Sequence, residues 1–352
     1  MNNKRNSTLE MLRILSMMMV IGLHYLNREI GGGLTTEYKM NIISTHILES
    51  ICITSVNVFV LISGYFMASA KTTGIRKAVD LYLIMLFYNL ISFCVSVVSG
   101  QYQFSIKALI YAFFPFLAGL KWFLETYIIL LLFAPFINKL LNSLNRKAHL
   151  LLIVIQLLLF SIWPSFLPDA PILDKGYGIT HFITLYLISS YIKKYISFEK
   201  CKKIRIISLV VFFASCSVIT ASSFIPYLKD RAWDYCYIFN IIASVSLFVL
   251  FLNLPKTNIS IINTIAATTF GVYITHTMLY FQPLIYHTIL HTELYYDSPF
   301  QTVHFLLCVV ILFSVCSIID YCRNKLWTIT MKKLLDNSKL LNIENEWESR
   351  FM

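Results

Sequence analysis

Long apolar runs, each about the length of a membrane-crossing helix, follow one another along the chain with short polar segments between them. A helix needs about 20 apolar residues to cross the hydrocarbon core of a bilayer. The pattern therefore predicts an all-α, polytopic membrane protein with about ten transmembrane helices. The predicted spans lie at about residues 9–27, 47–67, 78–99, 121–138, 149–167, 177–193, 204–225, 235–253, 263–282 and 301–321.

The composition supports the same class of protein. Hydrophobic residues make up 57% of the chain and charged residues only 13%, whereas a soluble domain carries about 25% charged residues. A chain this apolar cannot cover a water-facing surface with polar groups, which excludes a soluble enzyme, a disordered scaffold and a nucleic-acid-binding module. The eight cysteines lie almost entirely in apolar runs without metal-ligand spacing, so we expect buried thiols and no metal site.

Lysine and arginine are distributed unequally between the two predicted sides of the membrane. An even number of spans places both termini on one side, and that side holds 21 of the 29 lysines and arginines, against 7 on the other. Cytoplasmic loops carry the excess of positive charge. The bias therefore predicts cytoplasmic N- and C-termini, and it attributes the net charge to contact with anionic membrane lipid rather than with nucleic acid.

The chain divides into one long membrane domain and a short tail. Residues 1–325 form the predicted domain, within which residues 100–120 are expected to be re-entrant or interfacial. Residues 326–352 mix apolar and charged positions and predict a cytoplasmic tail that is amphipathic or partly disordered. No Gly-Lys-Ser/Thr nucleotide-binding motif occurs, which argues against a primary pump.

Two ionisable residues of the first apolar run share one face of its predicted helix. Charged groups are costly inside a membrane, so each is a functional candidate. Arg13 and His24 are 11 residues apart, which is three turns plus about 20° and about 16 Å along the axis. An arginine near the inner leaflet and a histidine near the outer leaflet predict a polar path through the membrane. The alternative is that each side chain only reaches its nearer interface.

Further ionisable residues reach the predicted depth of His24. Glu125 lies about one turn below the outer surface in the fourth run, and His276 lies in the outer half of the ninth. Three such groups from three helices at one depth suit acid–base chemistry. His46 and Glu49, at the outer start of the second run, are the next candidates.

Four segments of the chain resemble those of the membrane acyltransferase-3 family, the integral-membrane O-acyltransferases of bacteria. They occur in order on predicted spans one, two, four and nine, and the resemblance extends from about residue 5 to about residue 325. Each segment is weak alone, but their order and spacing make the joint match specific. The segments are Glu10-x-x-Arg13 followed by His24, residues 59–66, Trp122-Phe123-Leu124 with Pro135, and residues 270–276.

The resemblance implies transfer of an acyl group, usually acetyl from acetyl-CoA, to a hydroxyl of a carbohydrate at or beyond the membrane. It implies that Arg13 and His24 form the family's essential pair in span one. It also implies that Arg76 and Lys77 belong to a cytoplasmic basic loop, which here is sparse in arginine. The expected location is the plasma membrane of a bacterium, with a surface glycan as acceptor and polysaccharide-assembly proteins as candidate partners.

Two predicted binding sites follow from this resemblance. The donor site collects polar residues from the cytoplasmic half, although Ser63 and Gly64 also suit ordinary helix packing. The acceptor site collects residues near the outer surface, although Trp122 also suits an interfacial aromatic belt. We assign Arg13, Ser63, Gly64, Arg76 and Lys77 to the donor and Trp122, His46 and Glu49 to the acceptor.

Acyl transfer to a hydroxyl needs a base and stabilisation of an oxyanion. His24 suits the base, with Glu125 orienting its imidazole and His276 as an alternative base or an acceptor-binding group. A competing hypothesis is a transporter or flippase for a sugar-linked lipid or small metabolite, since many spans and a polar path suit transport too. A sensor or structural membrane protein is a third.

Overall fold

The chain folds into helices and connecting turns, with no β-strand in the residues that the computed structural model describes. The described residues are 5–35, 40–68, 74–118, 121–167, 174–197, 201–278 and 281–330.

Fifteen α-helices occur within these ranges. They are α1 Ser7–Leu26, α2 Ile42–Cys52, α3 Thr54–Met67, α4 Ile75–Val98, α5 Ile106–Phe113, α6 Pro115–Ala118, α7 Trp122–Ser143, α8 Arg146–Leu157, α9 Trp163–Phe166, α10 Ile179–Tyr195, α11 Lys202–Ser222, α12 Ile238–Leu252, α13 Ser260–Ala266, α14 Thr269–His276 and α15 Gln301–Thr330. Short π-helical segments at Leu158–Ile162 and Leu284–Ile289 and 3₁₀ turns at Gly33–Thr35 and Thr292–Tyr295 complete the described helices.

Seven helical segments of the described chain are long and apolar enough to cross a membrane. They are Ser7–Leu26, Ile42–Met67, Ile75–Val98, Trp122–Ser143, Arg146–Phe166, Lys202–Ser222 and Gln301–Thr328. Each coincides with one of the predicted spans, so the all-α polytopic class is confirmed. The predicted count of about ten is not, because three predicted spans fold into shorter helices.

Two of the three are single helices that fall short of a membrane-crossing length. The span expected at 177–193 is α10, which has 17 residues and carries Lys193 and Lys194 in its last turn. The span expected at 235–253 is α12, an apolar helix of 15 residues. Helices of 15 and 17 residues are about 23–26 Å long. This length is less than the thickness of a typical hydrocarbon core.

The third predicted span, 263–282, is broken into α13 and α14. The hydroxyl of Thr268 donates to the carbonyl of Ile265 at 2.8 Å, and the hydroxyl of Thr269 donates to the carbonyl of Ala266 at 2.9 Å. Such local side-chain bonds compete with the helical backbone ladder. The hydropathy pattern does not register this competition, so it predicted one continuous helix where the chain forms two.

Two membrane helices occupy the centre of the fold. Of the apolar window in Ile42–Met67, 83% is buried, and of that in Ser7–Leu26, 67%, against 28–39% for the other five. α1 packs against α2, α3, α12, α13, α14 and α15. The peripheral helices expose large apolar side chains, as α15 does at Leu306, Val310 and Ile318. A surface of this kind suits lipid rather than water, and the chain is a membrane protein.

Within the segment predicted to be re-entrant or interfacial, residues 106–118 form the two short helices α5 and α6 against the flank of α4. The Asn89 amide donates to the carbonyl of Ala112 at 2.9 Å, and the Tyr82 hydroxyl donates to the carbonyl of Phe113 at 3.0 Å. At the other end of the chain, α15 continues past the predicted boundary at residue 325 to Thr330. The predicted tail beyond residue 330 lies outside the described residues.

Candidate active site

Two of the three predicted catalytic residues meet at the ends of two packed helices. His24 lies in the last turn of α1 and His276 in the last turn of α14, and the two helices are in contact. The Nδ1 atom of His24 lies 2.9 Å from the Nε2 atom of His276. The sequence placed these residues at one depth, and the fold brings them into a direct hydrogen bond.

A backbone carbonyl determines which nitrogen of each imidazole carries hydrogen. Nδ1 of His276 lies 2.5 Å from the carbonyl oxygen of Val272, and because a carbonyl only accepts, this nitrogen carries the hydrogen. In neutral His276 the other nitrogen, Nε2, is then an acceptor, so Nδ1 of His24 is the donor between the rings. The hydrogen-bond pattern therefore leaves Nε2 of neutral His24 with its lone pair, which is the form that a general base needs.

The glycine at position 271 brings α14 close to α15. A Cβ atom built at Gly271 would lie 1.9 Å from the carboxyl group of Asp320, so only glycine permits this approach. Asp320 Oδ1 accepts hydrogen bonds from Arg323 Nε at 2.6 Å and from the Tyr88 hydroxyl at 2.9 Å. This buried ion pair fixes the helix that carries His276, and we define Asp320, Arg323 and Tyr88 as the buried ion-pair cluster.

Sequence reasoning missed the buried ion-pair cluster. Asp320 fell on the last residue but one of the predicted tenth span, and Arg323 was counted with the cytoplasmic positive charge. Their spacing of three residues on one helix is the signal that would have found them, because residues i and i+3 are neighbours on a helix surface. Both side chains are buried, Asp320 at 0% and Arg323 at 6% exposure.

His24 lines a cavity of about 1000 Å³, which is at the upper end of the usual size of small-molecule sites. Elements α1, α2, α3, α4, α7 and α14 contribute to its walls, together with the turns at residues 174–178 and 223–235. His276 is fully buried behind His24 and does not belong to the lining. A molecule in this cavity would therefore meet His24 rather than His276.

One wall of the cavity is aromatic. The Trp122 ring lies 4.4 Å from that of Tyr177 and 5.3 Å from that of Tyr235, measured between centroids, and Tyr177 and Tyr235 are 5.1 Å apart. All three residues line the cavity. Trp122 is thus part of a three-ring cluster facing the same space as His24, which is where its predicted acceptor-binding role would place it.

The other predicted acceptor residues also line this cavity. His46 Nδ1 lies 2.7 Å from the Ser223 hydroxyl, and its ring stacks on Phe224 with centroids 4.5 Å apart. Glu49 is 7% exposed, and its Oε2 atom has no hydrogen-bond partner among the described residues. A buried carboxyl oxygen without a partner calls for an explanation, and a hydroxyl bound in the cavity would supply one.

Glu125 does not lie beside the His24 imidazole, where the predicted catalytic arrangement placed it. Its Oε1 atom accepts a hydrogen bond from the backbone nitrogen of Lys121 at 3.2 Å, which caps the start of α7. The position beside the His24 imidazole, expected for Glu125, is taken by His276. A catalytic role for Glu125 stays a prediction.

A second polar cluster surrounds the hydroxyl of Tyr127 on the other side of Phe59. Lys77 Nζ donates to the Tyr127 hydroxyl at 3.2 Å, which in turn donates to the Ser63 hydroxyl at 3.0 Å. The guanidinium of Arg13 lies 5.9 Å from the centre of the Phe59 ring. Three predicted donor-site residues are thus brought together around a tyrosine that the sequence analysis did not select.

The other two predicted donor residues, Gly64 and Arg76, are not part of the cluster around the Tyr127 hydroxyl. A Cβ atom at Gly64 would lie 2.3 Å from the Ser189 hydroxyl oxygen and 3.2 Å from the Tyr186 Cα, so Gly64 mediates the packing of α3 on α10. Arg76 is exposed in the first turn of α4. Their roles in donor binding stay predictions.

Aromatic rings separate the cavity from the cluster at Tyr127. Phe59 lies 5.7 Å from Phe123, 5.2 Å from Phe270 and 6.3 Å from Tyr127 between ring centroids. Phe59 and Phe123 line the cavity, whereas Arg13 lies over the Phe59 ring. These four rings form what we call the aromatic floor of the cavity.

No group of three or more histidine, cysteine, aspartate or glutamate side chains is arranged to hold a metal ion in the described part of the chain. A protein-family model with the description "Acyltransferase domain" matches residues 6–321. That match includes both imidazoles, the cavity residues named above and the aromatic floor. No curated protein and no solved structure matches the chain.

Proposed function

The chain belongs to the acyltransferase-3 family, and from this membership we propose that it transfers an acetyl group from cytoplasmic acetyl-CoA to a hydroxyl of a cell-surface polysaccharide or its lipid-linked precursor. The observation that carries this proposal is the hydrogen-bonded chain from Val272 through His276 to His24, which leaves Nε2 of neutral His24 with its lone pair on a residue that lines a large cavity. We place the protein in the plasma membrane of a bacterium, with both termini cytoplasmic.

The reaction uses His24 as general base and then as general acid. Nε2 of His24 takes the proton of the acceptor hydroxyl as its oxygen attacks the thioester carbonyl carbon. The tetrahedral intermediate collapses with cleavage of the carbon–sulfur bond, and the CoA thiolate takes the proton back from the imidazolium. His276 accepts from Nδ1 of His24 throughout, and this bond holds the ring in the required tautomer.

Cations on the far side of the aromatic floor suit the phosphates of the donor. Arg13 and Lys77 both act electrostatically on the Tyr127 hydroxyl, and the exposed Arg76 is adjacent to Lys77 in the chain. Guanidinium and ammonium groups are the usual ligands of phosphate oxygens. In this arrangement the pantetheine arm runs past Phe59 and carries the thioester towards His24.

The aromatic wall and the polar groups opposite it suit a carbohydrate. Flat apolar surfaces with a few well-placed polar groups characterise small-molecule sites, and the Trp122 cluster supplies such a surface. His46 and Glu49 supply polar groups in the same cavity. A sugar ring against Trp122 would present a hydroxyl to His24 and another to Glu49.

The direct test is transfer of label from [¹⁴C-acetyl]-CoA to glycan in membranes from cells that carry this chain and from cells that lack it. We expect alkali-labile label in the glycan fraction only where the chain is present, because an acetyl ester is cleaved by mild base. Flux of a sugar-linked lipid without label transfer would support the transporter hypothesis instead. Neither label nor flux would contradict both.

Replacing Phe59 with leucine is expected to relax selection for a short acyl group. Phe59 is 2% exposed and lies at the centre of the aromatic floor. Leucine is smaller than phenylalanine, so the substitution leaves more room at this position for the acyl chain of the donor. We expect the ratio of hexanoyl to acetyl transfer, measured in competition in one preparation, to rise about 10-fold, the low end of the range seen for one methylene in an apolar pocket.

The matched control for this experiment is Phe224→Leu. Phe224 lines the same cavity but stacks on His46 rather than on the floor. Its ratio of hexanoyl to acetyl transfer should equal that of the wild type. An unchanged ratio in Phe59→Leu would mean that the donor does not pass this ring.

A further inference from the structure

Lys121 lines the cavity beside the paired imidazoles, and no motif in the sequence singles it out. Its Nζ donates to the Thr277 hydroxyl at 2.6 Å and to the Thr277 carbonyl, and Thr277 directly follows His276 in the chain. Lys121, His24 and Thr277 all line the cavity. The ammonium group and the proposed base therefore face the same space.

The charge of Lys121 is held in place by two elements. Glu125 accepts from its backbone nitrogen at 3.2 Å, which fixes the chain at the start of α7, while Thr277 fixes the head group from α14. An ammonium has three N–H donors, and the two bonds to Thr277 leave one for another acceptor. Its positive charge acts on the imidazoles of both His24 and His276.

A partly buried ammonium costs desolvation energy, so its position needs a compensating partner or function. The bonds to Thr277 are to neutral acceptors, and the Glu125 carboxylate, whose charge also acts on the ammonium, hydrogen-bonds to the Lys121 backbone nitrogen rather than to Nζ, so the cation is compensated only in part. A negative charge that forms in the cavity during the reaction would be the strong partner of this cation. The tetrahedral intermediate of thioester attack carries such a charge on the former carbonyl oxygen.

We propose that the ammonium of Lys121 is a catalytic residue that stabilises the oxyanion of the tetrahedral intermediate. The proposal rests on the acyltransfer function proposed above. As the acceptor oxygen bonds to the carbonyl carbon, the carbonyl π electrons move to oxygen, which receives a hydrogen bond from Nζ. When the carbon–sulfur bond breaks, those electrons re-form the carbonyl, and Lys121 keeps its proton throughout.

The protonation state of Lys121 gives this role a signature in the pH profile. Burial lowers the pKa of Lys121 from its ordinary value to about 7. The titratable groups that act electrostatically with it are His24 from α1, His276 from α14 and Glu125 from α7. The ammonium form predominates below this pKa, so its contribution is lost as the pH rises through about 7. Arginine stays charged over this range.

The experiment compares the wild type with Lys121→Met and Lys121→Arg. Purified protein in lipid nanodiscs is given [¹⁴C-acetyl]-CoA and surface glycan isolated from cells that lack this chain, and kcat, KM for acetyl-CoA and the pH profile are measured. We expect Lys121→Met to lower kcat about 10²- to 10³-fold with a KM within about 3-fold. Lys121→Arg should retain part of kcat, and its alkaline loss of activity should move to higher pH.

Lys147→Met is the matched control, because it removes the same charge from an exposed position on α8 outside the cavity; its kcat and pH profile should equal those of the wild type. Wild-type kcat in Lys121→Met, or an unshifted pH profile in Lys121→Arg, would overturn the role of Lys121. If the wild type itself transfers no label, the result contradicts the proposed acyltransferase function and not only the role of Lys121. Folding of each variant is checked by its elution on size exclusion.

Discussion

Replacing His24 with glutamine is expected to lower the rate of acyl transfer by about 10²- to 10⁴-fold, the range that a general base contributes. Glutamine keeps a polar side chain of similar length but has no nitrogen that accepts a proton near neutral pH. The measurement is single-turnover transfer of labelled acetyl in nanodiscs, with the amount of folded protein matched to the wild type. Wild-type turnover in His24→Gln would remove the proposed base.

Variants of His276 separate the base from the residue that positions it. The Val272–His276–His24 hydrogen bonds make His276 an acceptor for Nδ1 of His24, so a side chain that still accepts should preserve part of the activity. We expect His276→Gln to retain at least about 10-fold more activity than His276→Leu, and both to exceed His24→Gln. If His276 were instead the base, His276→Gln would lose as much activity as His276→Leu, and neither would exceed His24→Gln.

Replacing Arg323 with methionine is expected to cost about 3–5 kcal/mol of folding free energy, because removal of one partner leaves a buried charge uncompensated. Arg323 Nε donates to Asp320 at 2.6 Å, and both side chains are buried. Thermal unfolding of the protein in nanodiscs measures the loss. In the double variant Asp320→Asn/Arg323→Met the carboxylate is gone too, so a smaller loss than in Arg323→Met alone is expected.

The control for this prediction lies two residues further along α15. Lys325 is exposed and contacts the ring of Tyr321 at 4.9 Å, and an exposed cation of this kind contributes about 0.5–1 kcal/mol. Lys325→Met removes the same charge with the same substituent and should change stability by no more than that. Equal losses in the two methionine variants would mean that burial of the ion pair is not what stabilises α15.

The hydrophobic pattern was sufficient to predict the class of fold, and several residues selected from the sequence lie together in the structure. Length and apolarity located each of the seven long apolar helices, since these two properties are what a bilayer selects. His24 and His276, which were predicted at one depth, are hydrogen-bonded to each other, as a constant rise per residue along two packed helices allows. Arg13, Ser63 and Lys77 also lie close together, around the Tyr127 hydroxyl and the Phe59 ring.

The hydrophobic pattern does not predict which side chains of neighbouring helices contact one another. Depth along the membrane does not fix which faces meet, so Glu125 was expected beside His24, where His276 lies. The break between α13 and α14 depends on the hydroxyls of Thr268 and Thr269, which donate to backbone carbonyls three residues earlier. A hydropathy average over a whole span does not detect such local bonds. Lys121 was not selected from the sequence, because its contact with Thr277 and its place in the cavity depend on how α7 and α14 pack.

In the proposed reaction the acyl donor and the acceptor reach His24 from opposite faces of the membrane. Sealed membrane vesicles of both orientations, made from cells that carry this chain and its glycan, test it with [¹⁴C-acetyl]-CoA added only outside the vesicles. We expect label in glycan with inside-out vesicles, and with right-side-out vesicles only after permeabilisation. Transfer in sealed right-side-out vesicles at the inside-out rate would contradict it.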